Sequence, residues 1–415
     1  MPDPVRVALI MDMQSGYNES VVRGIADFVR THPWMLRVVS PRSVSVPMLR
    51  AWEVSGILAS LGDDSAADRK ALEGILSLQR PWVNVVNIES RPELPSVSND
   101  DAAIGEVAAG HFLTRGFRQF AYVGSSAVRL GKRREGFTRA VSRVHGGVDV
   151  YLEQGASPTG VTLSETLQAS WIQADLRLRD WLCSLPKPVG IMAENDHWGW
   201  RVVQACQHSG LCVPDAVAVV GVDNAELLCG LCFPSLSSVA VAGPQIGFQA
   251  AKWLHEMLSG RPRPASSLAF PPLGVITRQS SDTLAVKDAV VASALRFIRS
   301  APQEVADVGS VARHMAVSRR TLERKFRSEL GRTPLEEIHH ARIEVAKQLL
   351  VHTDLTMPEV AAQAGFSDAR RLYDAFQEEV HLAPTRYRRA VRTDAGSGVS
   401  PPGRREELRS PLERV

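Results

Sequence analysis

Residues 305–334 read VADVGSVARHMAVSRRTLERKFRSELGRTP, and residues 355–389 read LTMPEVAAQAGFSDARRLYDAFQEEVHLAPTRYRR. The two stretches are one supersecondary phrase written twice. Each begins with a short helix carrying small and apolar positions (Val311, Ala312, Met315; Val360, Ala361, Ala364) and then turns tightly. A second helix follows, opened by a small polar residue (Ser318 in the first copy, Ser367 or Asp368 in the second) and anchored by Leu322 and Phe326 or by Leu372 and Phe376. Side chains four residues apart share a helix face, so both second helices bury one side and expose the other. This is the pattern of a helix-turn-helix, in which the first helix supports and the second is offered to a DNA major groove. Gly331 and Pro334 close the first copy and Pro384 the second. Between them PLEEIHHARIEVAKQLLVHT (334–353) places Leu335, Ile338, Ile343, Ala346 and Leu350 near helical spacing, predicting one long helix that joins the copies.

The exposed face of the first recognition helix offers Arg319, Arg320, Arg324, Lys325 and Arg327, and the second offers Arg370 and Arg371. A guanidinium near the start of such a helix binds guanine O6 and N7 with two prongs or clamps a phosphate. A single run of this kind is commonly a solvated helix face; the matched second frame favours DNA. Glu323 and Asp374, being anionic, are excluded as phosphate contacts and are read as acceptors for cytosine N4 or as partners that orient an arginine.

The double motif resembles the DNA-binding domain of AraC-type transcription regulators over about a hundred residues, through Gly365, Phe366, Phe376, Pro384, Tyr387 and Arg388. The resemblance implies that both recognition helices enter successive major grooves on one side of the duplex. It also implies DNA contacts from Arg319, Arg320, Arg324, Ser367, Arg370 and Arg371, with Ser318 opening the first reading helix. The second helix departs from many relatives in carrying Ala369 and Asp374.

At 415 residues the chain is expected to form two or three domains. The formal charge is only +3, with the basic surplus toward the C-terminal third, which suits a DNA reader attached to a nearly neutral module. No run of about eighteen apolar residues suggests a membrane span, and MPDPVRVALIMD leads straight into a strand rather than a signal peptide. Five cysteines (Cys183, Cys206, Cys212, Cys229, Cys232) fit a reducing compartment, so a soluble cytoplasmic protein is expected. Cys229-x-x-Cys232 lacks a second pair at metal-site spacing and lies in the apolar run LLCGLCFPSL, so it is read as buried thiols, the alternative being a metal or redox pair.

The first 280 residues alternate β-branched runs with helical ones: VRVALIMD (5–12), LRVVS (36–40), SGILAS (55–60), PWVNVVNI (81–88), QFAYVGS (119–125), VGIMAEN (189–195) and AVAVVGVDN (216–224). A strand is also expected near Val148 to Leu152, and a long helix from about Ser164 to Ser184. This alternation predicts parallel sheets with helices on both faces, in two tandem lobes. SSVAVAG and the helix of residues 244–259 are expected to cross back to the first lobe. Ligands bind open parallel sheets at the carboxyl ends of strands. Polar residues stand there: Asp12, Gln14 and Tyr17 after the first strand, Ser125 and Ser126, then Glu194, Asn195 and Asp196, then Asp223 and Asn224, with Arg133 just inside a helix. A cleft so lined suits a small polyhydroxylated ligand, whose hydroxyls both donate and accept. Taken singly each has a plainer reading: Asn195 and Asp196 as a helix cap, Asp223 as a turn residue, Arg133 as part of the run KRR.

AENDHWGW (193–200), VVGVDN (219–224) and KRREGF (132–137) resemble the LacI-type sugar-binding domains of the periplasmic-binding-protein fold. That likeness implies that Arg133, Asn195 and Asp223 hold ligand hydroxyls; Asp12 and Tyr17 are added as ligand-binding candidates from their place after the first strand. The pairing of such a domain with an AraC-type reader resembles regulators of xylose operons, through YNESVVRG (17–24), WIQADLRLRDWL (171–182) and the runs near 236–255. The residues around Asp12–Ser15 and Glu194–Trp198 depart from that pattern, leaving the choice of sugar open.

The expected architecture is therefore an α/β two-lobed periplasmic-binding-protein-like domain (1–280), a linker (281–290), an all-α double helix-turn-helix domain (291–392) and a disordered tail (393–415). The function expected is a sequence-specific transcription regulator, an activator of sugar catabolism genes with xylose the leading candidate. The alternatives are a different sugar or polyol, or repression. The partners expected are promoter DNA, a sugar, a second copy in a homodimer, and RNA polymerase if it activates. No cofactor, metal or membrane is expected. With no G-x-G-x-x-G after the first strand, no Walker loop, no H-E-x-x-H and no G-x-S-x-G, an enzyme is not expected. Asp63–Asp64 and Asp100–Asp101 are read as turn and cap residues. A transported-solute binder would share the fold but have no use for the reader.

Overall fold

The strand VRVALI forms β1 (Val5–Ile10), whose last four residues are buried on both faces. It is followed by α1 (Gly16–Val29), β2 (Trp34–Val39), α2 (Val46–Ala51), β3 (Gly56–Ala59), α3 (Ala66–Ser77) and β4 (Trp82–Asn84). These strands make a parallel sheet in the order β2-β1-β3-β4. The computed structural model describes residues 5–392, apart from 14, 63–64, 89–90, 126–130, 144–145, 154–168, 263, 265–266, 287, 301, 306 and 381–382. The tail expected from residue 393, the pair Asp63–Asp64, Gln14, Ser126 and the first residues of the helix expected from Ser164 lie outside the described residues.

After β5 (Val97–Asn99) the chain enters a second lobe: α4 (Asp101–Thr114), β6 (Gln119–Ser125), α5 (Gly131–Ser142), β7 (Asp149–Glu153), α6 (Ala169–Ser184), β8 (Val189–Ala193), α7 (Asp196–His208), β9 (Val217–Val222), α8 (Glu226–Leu231) and β10 (Ser237–Ala240). Then come α9 (Gly243–Leu258), β11 (Leu268–Phe270) and β12 (Gly274–Ile276). The second sheet runs β12-β10-β9-β8-β6-β7, parallel except where β12 meets β10. Every residue of β8 and β9 is buried, as expected of central parallel strands covered on both faces. A short parallel ribbon, β11 on β5, completes the sheets.

Helix α9 does return to the first lobe, as expected. A Cβ added at Gly24 would lie 1.8 Å from Pro244 O, and one at Gly247 would lie 1.9 Å from Val21 O, so α1 and α9 meet backbone to backbone. SSVAVAG does not cross with it. Val239 pairs with Val222, which keeps Ser237–Ala240 in the second sheet as β10 until the chain leaves past Ala240.

The helical part comprises α10 (Ala289–Ser300), α11 (Val308–His314), α12 (Arg319–Leu330), α13 (Pro334–His352), α14 (Met357–Gln363), α15 (Ala369–Val380) and α16 (Pro384–Arg392). The pairs α11/α12 and α14/α15 are the two helix-turn-helix copies, joined by the long helix predicted between them. Their anchors Leu322, Phe326, Leu372 and Phe376 are fully buried in two separate cores. Gly331, at φ +71, ends α12. The two prolines act as openers rather than closers. Pro334 and Pro384 are the first residues of α13 and α16, where a fixed φ and a missing N–H cost nothing.

Candidate ligand cleft and nucleic-acid interface

One cleft is lined by residues of both lobes: Ser15, Tyr17, Asn18, Ser60, Val86 and Asn87 from the first, Asp101, Arg133, Asn195, His197 and Asp223 from the second, with Ser98 and Asn99 of β5 between them. The space between these residues is small, about 60 Å³, and opens to solvent. The structure thus brings Tyr17, Arg133, Asn195 and Asp223 together. Asp12 is not among the lining residues. After β1 the chain turns, and the Asp12 carbonyl accepts from Ser15 N at 3.3 Å and Asn18 Nδ2 at 2.9 Å, so Ser15 and Asn18 take that stretch of wall.

Arg133 is no surface member of the KRR run, being only 4% exposed. Its Nε and Nη2 donate to Asp101 Oδ1 at 3.0 and 2.6 Å, and Nη1 donates to the Glu194 carbonyl. Burial alone pulls its pKa down, but the charges of Asp101 and Asp223 outweigh that and hold the guanidinium more firmly protonated than usual. A fixed cation beside carboxylate and amide acceptors is what orients sugar hydroxyls. The cap and turn readings are also correct for two of these residues. Asn195 Oδ1 caps α7 by accepting from Trp198 N at 3.1 Å. Asp223 sits in a turn at φ +100, its N–H bonded to Val239 O at 3.0 Å. Tyr17 donates its hydroxyl to the Val85 carbonyl, which fixes the ring in the wall.

Asn18, Ser60, Asn87, Ser98, Asp101 and His197 are among the lining residues that sequence reasoning missed. Asp100 is the cap expected, accepting from Ala103 N at 3.0 Å, while Asp101 turns to Arg133. Glu194 and Asp196 do structural work beneath the cleft. The Glu194 carboxylate accepts from Ser125 N at 2.8 Å, and Asp196 Oδ2 accepts from Ala225 N at 2.7 Å. Burial raises the Asp196 carboxyl to about 6.

In the reader, Ser318 caps α12 by accepting from Thr321 N at 3.1 Å, leaving Arg319, Arg320 and Arg324 exposed along one helix. Arg319 is bridged to Glu323 at 2.8 Å, the orienting role considered for that acid. Lys325 points elsewhere, to Asp288 ahead of α10. In the second copy Asp368, not Ser367, caps the helix, accepting from Arg371 N at 2.8 Å. Ser367 donates to Asp368 at 2.9 Å and stays exposed, as do Arg370 and Arg371.

Cys206, Cys229 and Cys232 are buried thiols, and burial pushes Cys206 and Cys232 up to about 12, keeping both protonated and unreactive. His340, Glu344 and Glu379 bring ligand-type atoms within 4.8 Å of one another, but Glu379 already bonds His340 and Glu344 already pairs with Lys347. Among the described residues no helix is long and apolar enough to cross a membrane.

Residues 109–281 match the periplasmic binding protein-like domain family and residues 311–390 a helix-turn-helix domain family. The xylose operon regulatory protein of Escherichia coli strain K12 is 30% identical over 393 residues, covering 92% of this chain and 96% of that protein. Its counterpart in Haemophilus influenzae is 29% identical over 394 residues, covering 92% and 98%. The solved structure of a xylose-binding transcription activator, xylR, superposes with a TM-score of 0.57 at 28% identity, covering 93% of this chain and 98% of that one. The relatives are regulators rather than enzymes, and the same two modules occur here in the same order. The chain belongs to the family of xylose operon regulatory proteins, DNA-binding transcription regulators that answer to a sugar.

Proposed function

We propose that this chain is a cytoplasmic activator of sugar catabolism genes, that its effector is a pentose, with D-xylose first, and that it acts on promoter DNA as a homodimer that recruits RNA polymerase. The observation that carries the pentose is the composition of the cleft. Arg133, Asp101, Asn195 and Asp223 converge from the second lobe on Tyr17, Asn18 and Asn87 of the first, giving donors and acceptors on both sides of a small ligand. The names of the full-length relatives support xylose and activation. Residues 1–280 sense, 281–290 connect and 291–392 read. Sugar contacts both lobes only when they are closed, so it selects the closed form. DNA binding changes only if closure and the DNA-competent arrangement are the same state.

Calorimetry of the full chain with D-xylose, L-arabinose, D-ribose, D-glucose and xylitol tests this. D-xylose should bind most tightly, and duplex affinity measured at fixed salt should rise when it is added. A chain that binds none of the pentoses would refute the proposed effector, and a fall in DNA affinity would refute activation by recruitment.

A further inference from the structure

Helix α4 touches the cleft with its first turn and the reader with its last. At the cleft end Asp101 holds Arg133 at 2.6 Å. There α4 and α5 are packed without side chains between them: a Cβ at Gly105 would lie 2.1 Å from Arg133 O, and one at Gly136 would lie 2.1 Å from Ala102 O. Its 14 residues span about 21 Å. At the far end, the last carbonyls of a helix have no partner within it. Here the reader supplies them. Arg299 of α10 donates to Thr114 O at 2.7 Å, and Arg332, between α12 and α13, donates to Thr114 O at 2.5 Å and Leu113 O at 3.3 Å.

Both arginines are held from behind by Glu337 of α13, which is fully buried and bonded to Arg299 Nε at 2.9 Å and Arg332 Nε at 2.8 Å. The exchange also runs the other way. Arg118, four residues past the end of α4, donates to the carbonyls of Ser328 and Glu329 at 3.0 and 2.8 Å, capping the C-terminal turn of the first recognition helix α12. Gly116, at φ +82, allows this close approach, since a Cβ there would lie 2.8 Å from Val286 and 3.1 Å from Leu330.

From this geometry, and resting on the sugar-controlled reading above, we infer that α4 is the lever that transmits cleft occupancy to the reader. Arg118, Arg299 and Arg332 are the positioning residues of its joint. A sugar that moves Arg133 moves Asp101 and the first turn of α4, and a rigid helix delivers that displacement to α12. Neither end touches the other's ligand, so coupling is separable from both binding steps.

The test uses the full chain, D-xylose, and a duplex selected by the wild-type chain from a random-centre pool. The ratio of DNA affinities with and without D-xylose is measured by fluorescence anisotropy, and sugar affinity by calorimetry. Arg332→Lys keeps a cation on Glu337 but removes the fork that spans carboxylate and carbonyls. Combined with Arg118→Ala it should leave sugar affinity within about twofold and drive the DNA affinity ratio to about 1. By linkage, DNA should then cease to alter sugar affinity. Should the double variant fail to fold, Arg118→Ala alone, made at an exposed side chain, should cut the ratio at least about threefold. A folded variant with the wild-type ratio overturns the lever alone, whereas a wild-type chain whose DNA affinity ignores the sugar overturns the parent reading and the lever with it.

Discussion

Ala316 and Gly365 occupy the same place in the two helix-turn-helix copies, one residue past the supporting helix cap, and both have left-handed backbones, at φ +54 and +85. Only glycine adopts that region without cost. Ala316→Gly should therefore raise stability by about 0.5–1 kcal/mol. Gly365→Ala adds a Cβ at 2.7 Å from the Gln303 Cα and should cost about 2 kcal/mol or more. Chemical denaturation of the two variants checks both signs, and a destabilised Ala316→Gly would remove the strain argument.

Arg320 and Lys325 lie on one helix, but Arg320 is exposed while Lys325 is paired with Asp288. Arg320→Ala should weaken DNA binding by about 1–3 kcal/mol and relax base preference at one position. Lys325→Ala should leave DNA affinity within about twofold, because its ammonium serves Asp288. Binding isotherms at several salt concentrations separate these cases. Equal losses from the two variants would mean that the exposed arginines are not the reading face.

Asp223→Asn keeps a residue type that tolerates φ +100 while removing the charge beside Arg133. Loss of a charge-assisted hydrogen bond is worth about 1.5–3 kcal/mol, so D-xylose affinity should fall about 10- to 100-fold with the melting temperature little changed. Undiminished binding in calorimetry would move the ligand away from this wall.

Asp196 predicts a pH signature. Its folded carboxyl keeps a proton up to about pH 6, against a reference value of 3.8. Between those values the folded chain binds more protons than the unfolded one, so this group's contribution to stability falls as pH rises through the window and is flat outside it. In Asp196→Asn that slope disappears. The variant should therefore gain on the wild type, by about 3 kcal/mol at most, between pH 4 and pH 7. Paired melts across that range would show it, and a constant difference would exclude Asp196 as the titrating group.

The reader was legible in detail because its signals are local: Leu322 with Phe326 and Leu372 with Phe376 repeat at one spacing, and caps lie beside the helices they serve. The second turn is one residue longer than the first, and that insertion alone decided Asp368 over Ser367 as the cap. The strand ends that form the cleft were legible from β-branched runs and the polar residues after them. Asp101 was not, since an acid in a first helical turn is ordinarily a dipole or cap residue and its partner Arg133 lies 32 positions away. After β1, strand-end position does not reveal which residues of the turn line the cleft, and Ser15 and Asn18 do so. Arg118, Arg299 and Arg332 carried no sequence signal, because their acceptors are main-chain carbonyls in another part of the chain.

The buried Glu337 has a practical corollary for anyone building sensors from such parts. A chimera that fuses residues 291–392 to a foreign effector domain would carry Arg299 and Arg332 but leave the end of α4 behind, stranding two cations whose hydrogen bonds were made to a lost helix. A graft that also transplants the Leu113–Arg118 corner keeps that seam whole, and with it the route by which a new effector could be heard.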